Sequence, residues 1–179
     1  MERPCEMKRL MQIGIIVTNI EESVAYYEEL GMGPWEITEM RNDCPPFEGM
    51  TLDGEELPEK GIVIKTAMIT CYGIEFELIE PVMDTRYKKW LEEHGPGIHH
   101  LAFETATPYP ELLRKAKAQN GKDPWVRGYG IGGEMDFSYL DLRKEMGIIM
   151  ECYGKMVPGK PGVPYGLKGD FVSENGTFA

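Results

Sequence analysis

Gly97-Ile98-His99-His100-Leu101-Ala102-Phe103 is the stretch whose reading decides the fold. A glycine entry followed by β-branched, aromatic and aliphatic residues reads as a β-strand. Side chains alternate faces along a strand. The alternation predicts His100, Ala102 and Glu104 on one face and His99, Leu101 and Phe103 on the other. One histidine then faces a cavity while the other packs or meets solvent. Two of the three histidines of the chain lie here, so the functional question is whether His100 has partners elsewhere.

Upstream, Met11 to Val17 is an apolar, β-branched run and reads as a strand. Thr18 or Asn19 caps the helix that follows, with Ile20, Val24, Tyr27 and Leu30 at helical spacing and Gly31 ending it. Gly33 to Ile37 is a turn into a short strand. Arg41 to Lys60, rich in proline, glycine and acidic residues, reads as a long loop. Gly61 to Thr70 and Gly73 to Glu80 form a hairpin around Cys71-Tyr72-Gly73, and Thr85 to Glu93 is a connecting helix. Downstream come a helix over Glu111 to Gln119, a short strand near Trp125 to Arg127, and a hairpin pair, Met135 to Asp141 and Gly147 to Tyr153. From Lys155 the high glycine and proline content predicts a tail that wraps the surface or is disordered.

The order is β-α-β-β-β, a helix, then β-α-β-β-β again: an α+β fold of two tandem βαβββ modules forming a cupped, curved mixed sheet. The predicted divisions are 1–95, a first module carrying the 41–60 loop and the connecting helix, 96–155, a second module, and 156–179, the tail. Gln12-Ile13-Gly14-Ile15 aligns with His100-Leu101-Ala102-Phe103, and Gly73-Ile74-Glu75-Phe76-Glu77 with Gly147-Ile148-Ile149-Met150-Glu151.

Glu77 and Glu151 thus stand at equivalent places inside apolar strands. A carboxylate there is costly to bury unless it is paired, protonated or bound to a metal. Solvent-facing positions on half-exposed strands are the ordinary alternative. If the modules share one sheet, Gln12, Glu77, His100 and Glu151 converge as four metal ligands from four strands. Two carboxylates, an imidazole and an amide oxygen suit Zn²⁺, Co²⁺, Mn²⁺ or Ni²⁺ better than copper or an iron–sulfur cluster.

Composition narrows the partners. The 179 residues suffice for one domain or two small fused modules. A net charge of −11 argues against binding nucleic acid or anionic membranes. No apolar run reaches the ~20 residues of a membrane span. The N-terminus lacks a signal-peptide core, and four scattered cysteines without a CxxC pair fit a reduced, cytoplasmic protein.

The layout resembles the vicinal oxygen chelate superfamily, known for paired βαβββ modules. Within it, Phe76-Glu77-Leu78-Ile79-Glu80-Pro81, Trp90-Leu91-Glu92-Glu93-His94-Gly95 and Gly97 to Phe103 resemble the methylmalonyl-CoA epimerase family. Leu57 to Ile62 and Gly147 to Glu151 resemble it too, so the likeness covers roughly Met11 to Lys155. It implies metal ligation by Gln12, Glu77, His100 and Glu151, with Gln12 where the epimerases usually carry histidine. It further implies a homodimer and a small-molecule acyl or keto-acid substrate, CoA thioesters among them. The implied chemistry is isomerisation by an enolate at a carbon α to a carbonyl. Glu151 and Glu75 are then the carboxylates available for proton transfer. Glyoxalase I (lactoylglutathione lyase) resembles the same plan and accepts Gln, Glu, His and Glu together. However, Ile16 stands where those enzymes typically place an arginine for glutathione. The remaining alternatives are another lyase or isomerase of the superfamily and a metal-free, ligand-sequestering (drug-binding) protein.

Overall fold

The protein is described by a computed structural model over residues 7–44, 51–52, 55–57, 59–107, 109–124, 126–129, 135–157 and 160–164. The first module runs β1 (Met7–Ile16), α1 (Ile20–Glu29), β2 (Glu36–Arg41), β3 (Thr51–Leu52), β4 (Glu55–Glu56), β5 (Ile62–Cys71) and β6 (Ile74–Pro81). Helix α2 (Arg86–His94) leads into β7 (Gly97–Thr105), α3 (Tyr109–Asn120), β8 (Val126–Tyr129), β9 (Met135–Leu142), α4 (Arg143–Met146), β10 (Ile148–Val157) and β11 (Lys160–Pro164).

All the strands join one mixed sheet in the order β2-β5-β6-β1-β7-β10-β9-β8-β3-β4, with β11 paired to β10. The run β2-β5-β6-β1 is repeated in reverse as β7-β10-β9-β8, so the predicted α+β duplication is present in the topology. Strand β1 is parallel to β6, β7 is parallel to β10, and β1 and β7 meet antiparallel at the joint.

Local chemistry explains the elements. Asn19 caps α1, its Oδ1 accepting from the backbone N–H of Glu22 at 2.9 Å, and Glu80 Oε2 accepts from Ile20 N at 2.8 Å. Tyr72 (φ 54°) and Gly73 (φ 75°) make the tight turn between β5 and β6, where two left-handed residues match the strand twist.

The apolar residues sort into an inner and two outer groups. Val17, Ile20, Val24, Trp35, Ala67 and Leu78 seat α1 on one outer face. Ala116, Leu140, Leu142, Met150 and Cys152 seat α3 on the other. The inner group, including Ile16, Ile79, Tyr87, Ala102, Phe137, Tyr139, Ile149 and Tyr153, draws on both modules and on α2.

The long segment after β2 reaches the far end of the sheet, where β3 pairs with β8. Asn42 is anchored to Glu59 and Gly61, and the stretch from Asn42 to Thr51 spans about 32 Å fully extended. Eight strand spacings separate β2 from β3, about 38 Å in a flat sheet. The sheet must therefore curl, and the curl makes the cup.

Several expectations change. The long loop contains the two-residue strands β3 and β4, while Pro45, Pro46 and Phe47 lie outside the described residues. The helical turn α4, closed by left-handed Gly147, joins β9 to β10 in place of a plain hairpin. Strand β10 runs on to Val157 and β11 folds back on it, so the segment after Lys155 begins with regular structure. Residues 165–179 lie outside the described residues. Trp35 packs under α1 against Tyr27, and Trp125 lies outside the described residues.

Candidate metal centre

The four residues singled out from the repeat come from adjacent strands, and the register carries their twofold relation. Gly14 lies beside Glu77 on one side and His100 on the other. In the equivalent row, Ala102 lies beside Glu151 and Gln12. All four donors are buried, with 1–5% of each residue exposed.

His100 Nε2 is the centre of the group. Gln12 Oε1 lies 3.2 Å from it, Glu151 Oε2 3.0 Å and Glu77 Oε2 3.6 Å. The ring lies directly over Gly14, where a Cβ would collide with its Cε1, Nδ1 and Nε2 atoms. Glycine is therefore required here for space. Gln12 is held at both ends of its amide: Nε2 donates to Glu75 Oε1 at 2.7 Å, and Oε1 accepts from the Tyr153 hydroxyl at 3.1 Å.

Burial pushes the Glu77 carboxyl well above the usual carboxylate range, and the charges of Glu151 and Glu75 push it further. Burial also raises Glu75, opposed by the bond from Gln12. The hydroxyls of Tyr87, Tyr139 and Tyr153 are raised well above their ordinary value, chiefly by burial.

Strict alternation fails at His99. Gly14 pairs with His100 but Ile15 pairs with Ile98, so His99 is the extra residue of a β-bulge. The bulge turns it toward the same buried interior. Its Nδ1 lies 3.1 Å from Nδ1 of His100, and its ring packs against Tyr87, Trp90 and Tyr139. Burial, then the neighbouring His100, holds His99 well below the usual histidine range, so it stays neutral. The sequence signal for this contact is the His-His pair itself, but only the bulge makes it possible.

His, Cys, Asp and Glu side chains alone make no metal group of three among the described residues. Glu77 stands off at 3.6 Å, and the set reaches four only with the Gln12 amide. The 3.0 and 3.2 Å distances nonetheless fit an ion: neighbouring ligands at about 2.1 Å from a metal lie about 3.0–3.4 Å from one another. Glu151 Oε2 is buried without an aligned hydrogen-bond donor, an arrangement a cation would relieve. The residues present fit a divalent metal.

Residues 11–139 match the family described as the Glyoxalase/Bleomycin resistance protein/Dioxygenase superfamily, and the chain belongs to that superfamily. The fold is that of its solved structures. A hypothetical protein of Bacillus halodurans C-125 superposes with a TM-score of 0.54 at 24% identity, covering 85% of this chain and 97% of its own. Methylmalonyl-CoA epimerase of Mycobacterium tuberculosis gives 0.55 at 18% identity, covering 84% and 90%. A Streptomyces coelicolor methylmalonyl-CoA epimerase variant in complex with 2-nitronate-propionyl-CoA gives 0.51 at 20%, covering 82% and 94%. No curated protein matches the sequence. Among the described residues, no helix is long and apolar enough to cross a membrane.

Proposed function

We propose that this chain is a divalent-metal-dependent enzyme that removes a proton α to a carbonyl, in the manner of an epimerase. The observation that carries this reading is the convergence of Gln12, Glu77 and Glu151 on His100 Nε2 inside the cup. Those four side chains would hold Co²⁺, Zn²⁺, Ni²⁺ or Mn²⁺. When bound, the ion supplies positive charge that stabilises an enolate.

The chain's own groups do the rest. His100 is set over Gly14 and steadied by His99. Tyr87, Phe137 and Tyr139 form an aromatic wall beside the polar cluster, with the Tyr139 ring 4.6 Å from that of His100. Of the two carboxylates assigned from the sequence to proton transfer, Glu151 is also one of the four donors, with Oε2 3.0 Å from His100 Nε2, and Glu75 commits one oxygen to Gln12. The substrate class is a small acyl or keto acid, and CoA thioesters enter because fold neighbours include methylmalonyl-CoA epimerases. A homodimer belongs to the same reading.

The test is solvent exchange. Protein loaded with Co²⁺ is incubated with methylmalonyl-CoA in D₂O, and separately with small α-keto acids. Deuterium uptake at the carbon adjacent to the carbonyl, abolished in His100→Ala, is expected. No uptake from any of them would sink the enolate reading. Protein that stays metal-free after exposure to all four ions would favour ligand sequestration.

A further inference from the structure

We propose that Glu75, assisted by Tyr153, is a positioning residue that turns the carbonyl oxygen of Gln12 toward the donor cluster. The inference rests on the metal-dependent reading above. An amide has two unlike ends: the oxygen accepts or ligates, and the NH₂ only donates. A glutamine can therefore serve as a ligand only when its orientation is fixed.

Here it is fixed at both ends. Gln12 Nε2 donates to Glu75 Oε1 at 2.7 Å, which points Oε1 toward His100 Nε2 at 3.2 Å. The Tyr153 hydroxyl donates to that same Oε1 at 3.1 Å. Turned over, the amide would set its oxygen against a carboxylate oxygen of Glu75 and lose the bond that fixes its orientation.

The repeat shows that this arrangement is specific to the amide. Glu75 lies beside Gln12 on the neighbouring strand, and Ile149 lies beside His100 in the matching position. An imidazole needs no carboxylate there, because its second nitrogen meets His99. The two equivalent positions are thus supported differently, each according to the chemistry of its own donor. The half-buried Glu75 in an apolar strand thus has a polar partner, the Gln12 amide, whose orientation it sets.

The experiment is Co²⁺ binding to the full chain, by calorimetry and by the visible absorption of the bound ion. Glu75→Leu is expected to weaken binding about 10- to 100-fold and to alter the spectrum. Glu75→Gln, which still offers an oxygen to Gln12, should stay within about threefold of wild type. In a Gln12→Ala background, Glu75→Leu should cause no further loss. An equal loss in both backgrounds, or wild-type affinity in Glu75→Leu, would overturn the proposal. If Glu75→Leu does not fold, as judged by circular dichroism, Tyr153→Phe replaces it. A loss with Tyr153→Phe that disappears in Gln12→Ala supports the proposal, and its persistence there refutes it. Wild-type protein that takes up no Co²⁺ removes the metal reading and this inference together. Normal wild-type uptake with an indifferent Glu75 removes this inference alone.

Discussion

Gly14 carries no functional group, yet the position of His100 depends on it. The imidazole occupies the volume of the missing side chain. Gly14→Ala should force the ring away from Gln12 and Glu151. We expect a stability loss of about 1–3 kcal/mol from overpacking and at least a tenfold drop in Co²⁺ affinity, read by urea unfolding and calorimetry. Unchanged affinity would show that the ring can ligate from another position. Asp141 offers a test of electrostatics away from the centre. It accepts from Arg143 at 2.8 and 3.1 Å and from Lys122 at 3.3 Å. The Arg143 guanidinium holds its carboxyl well below the usual range. The folded value lies below the unfolded one, so the unfolded chain binds the extra proton as pH falls. The stabilisation is full above the ordinary value of 3.8 and lost below it. Asp141→Asn should cost about 1 kcal/mol at neutral pH, since the site is partly exposed, and the difference from wild type should shrink in acid. A gap that widens on acidification would contradict this. At this scale the sequence was legible wherever the duplication acted as a check. Gln12 and His100, or Glu77 and Glu151, gain meaning from each other. His99 aligns with Met11, whose apolar side chain offers no check, and strict alternation placed it on the wrong face.

A strand is visible in a sequence because burial repeats along it, and that is why β1, β5, β6, β7, β9 and β10 were all anticipated. A bulge is one added residue and leaves no compositional trace. Strand β1 carries a second irregularity at Met11, where Leu10 faces Phe103 and Gln12 faces Ala102. The donor segments thus lie between two register shifts, a common device for re-aiming side chains at a site. The ladders β3 and β4, two residues each, are too short for any period to register. Helix ends were better marked, and α1 allows a direct measurement. Asn19→Ala should cost about 1 kcal/mol by removing the cap on Glu22 N, measured by urea unfolding. No change would mean that Glu80, which binds Ile20 N, holds the helix start alone.

Across the whole molecule, the donors tie together two halves that the topology keeps distinct. Gln12 and Glu77 come from the first module, His100 and Glu151 from the second. Bound metal should therefore stabilise both halves at once. At a Co²⁺ concentration a hundredfold above Kd, the gain should be about 2.7 kcal/mol. Tryptophan fluorescence and far-ultraviolet dichroism should then shift to one common, higher midpoint. Separate midpoints would show that the metal bridges nothing. The cup itself could be inferred from the repeat, but its degree of curl could not. That depends on the segment after β2 reaching β8, a long-range pairing with no local signature.

The near-complete burial of the four donors, 1–5% exposed, also governs how fast the centre can fill. With the donors this buried, we expect each loading event to wait for a local opening. The observed uptake rate should rise with Co²⁺ concentration and then level off at the opening rate. The same rate should govern release to an external chelator, independent of chelator concentration. Stopped-flow absorption would register both plateaus, and uptake that stays linear in Co²⁺ would mean that the donors are reached without any opening.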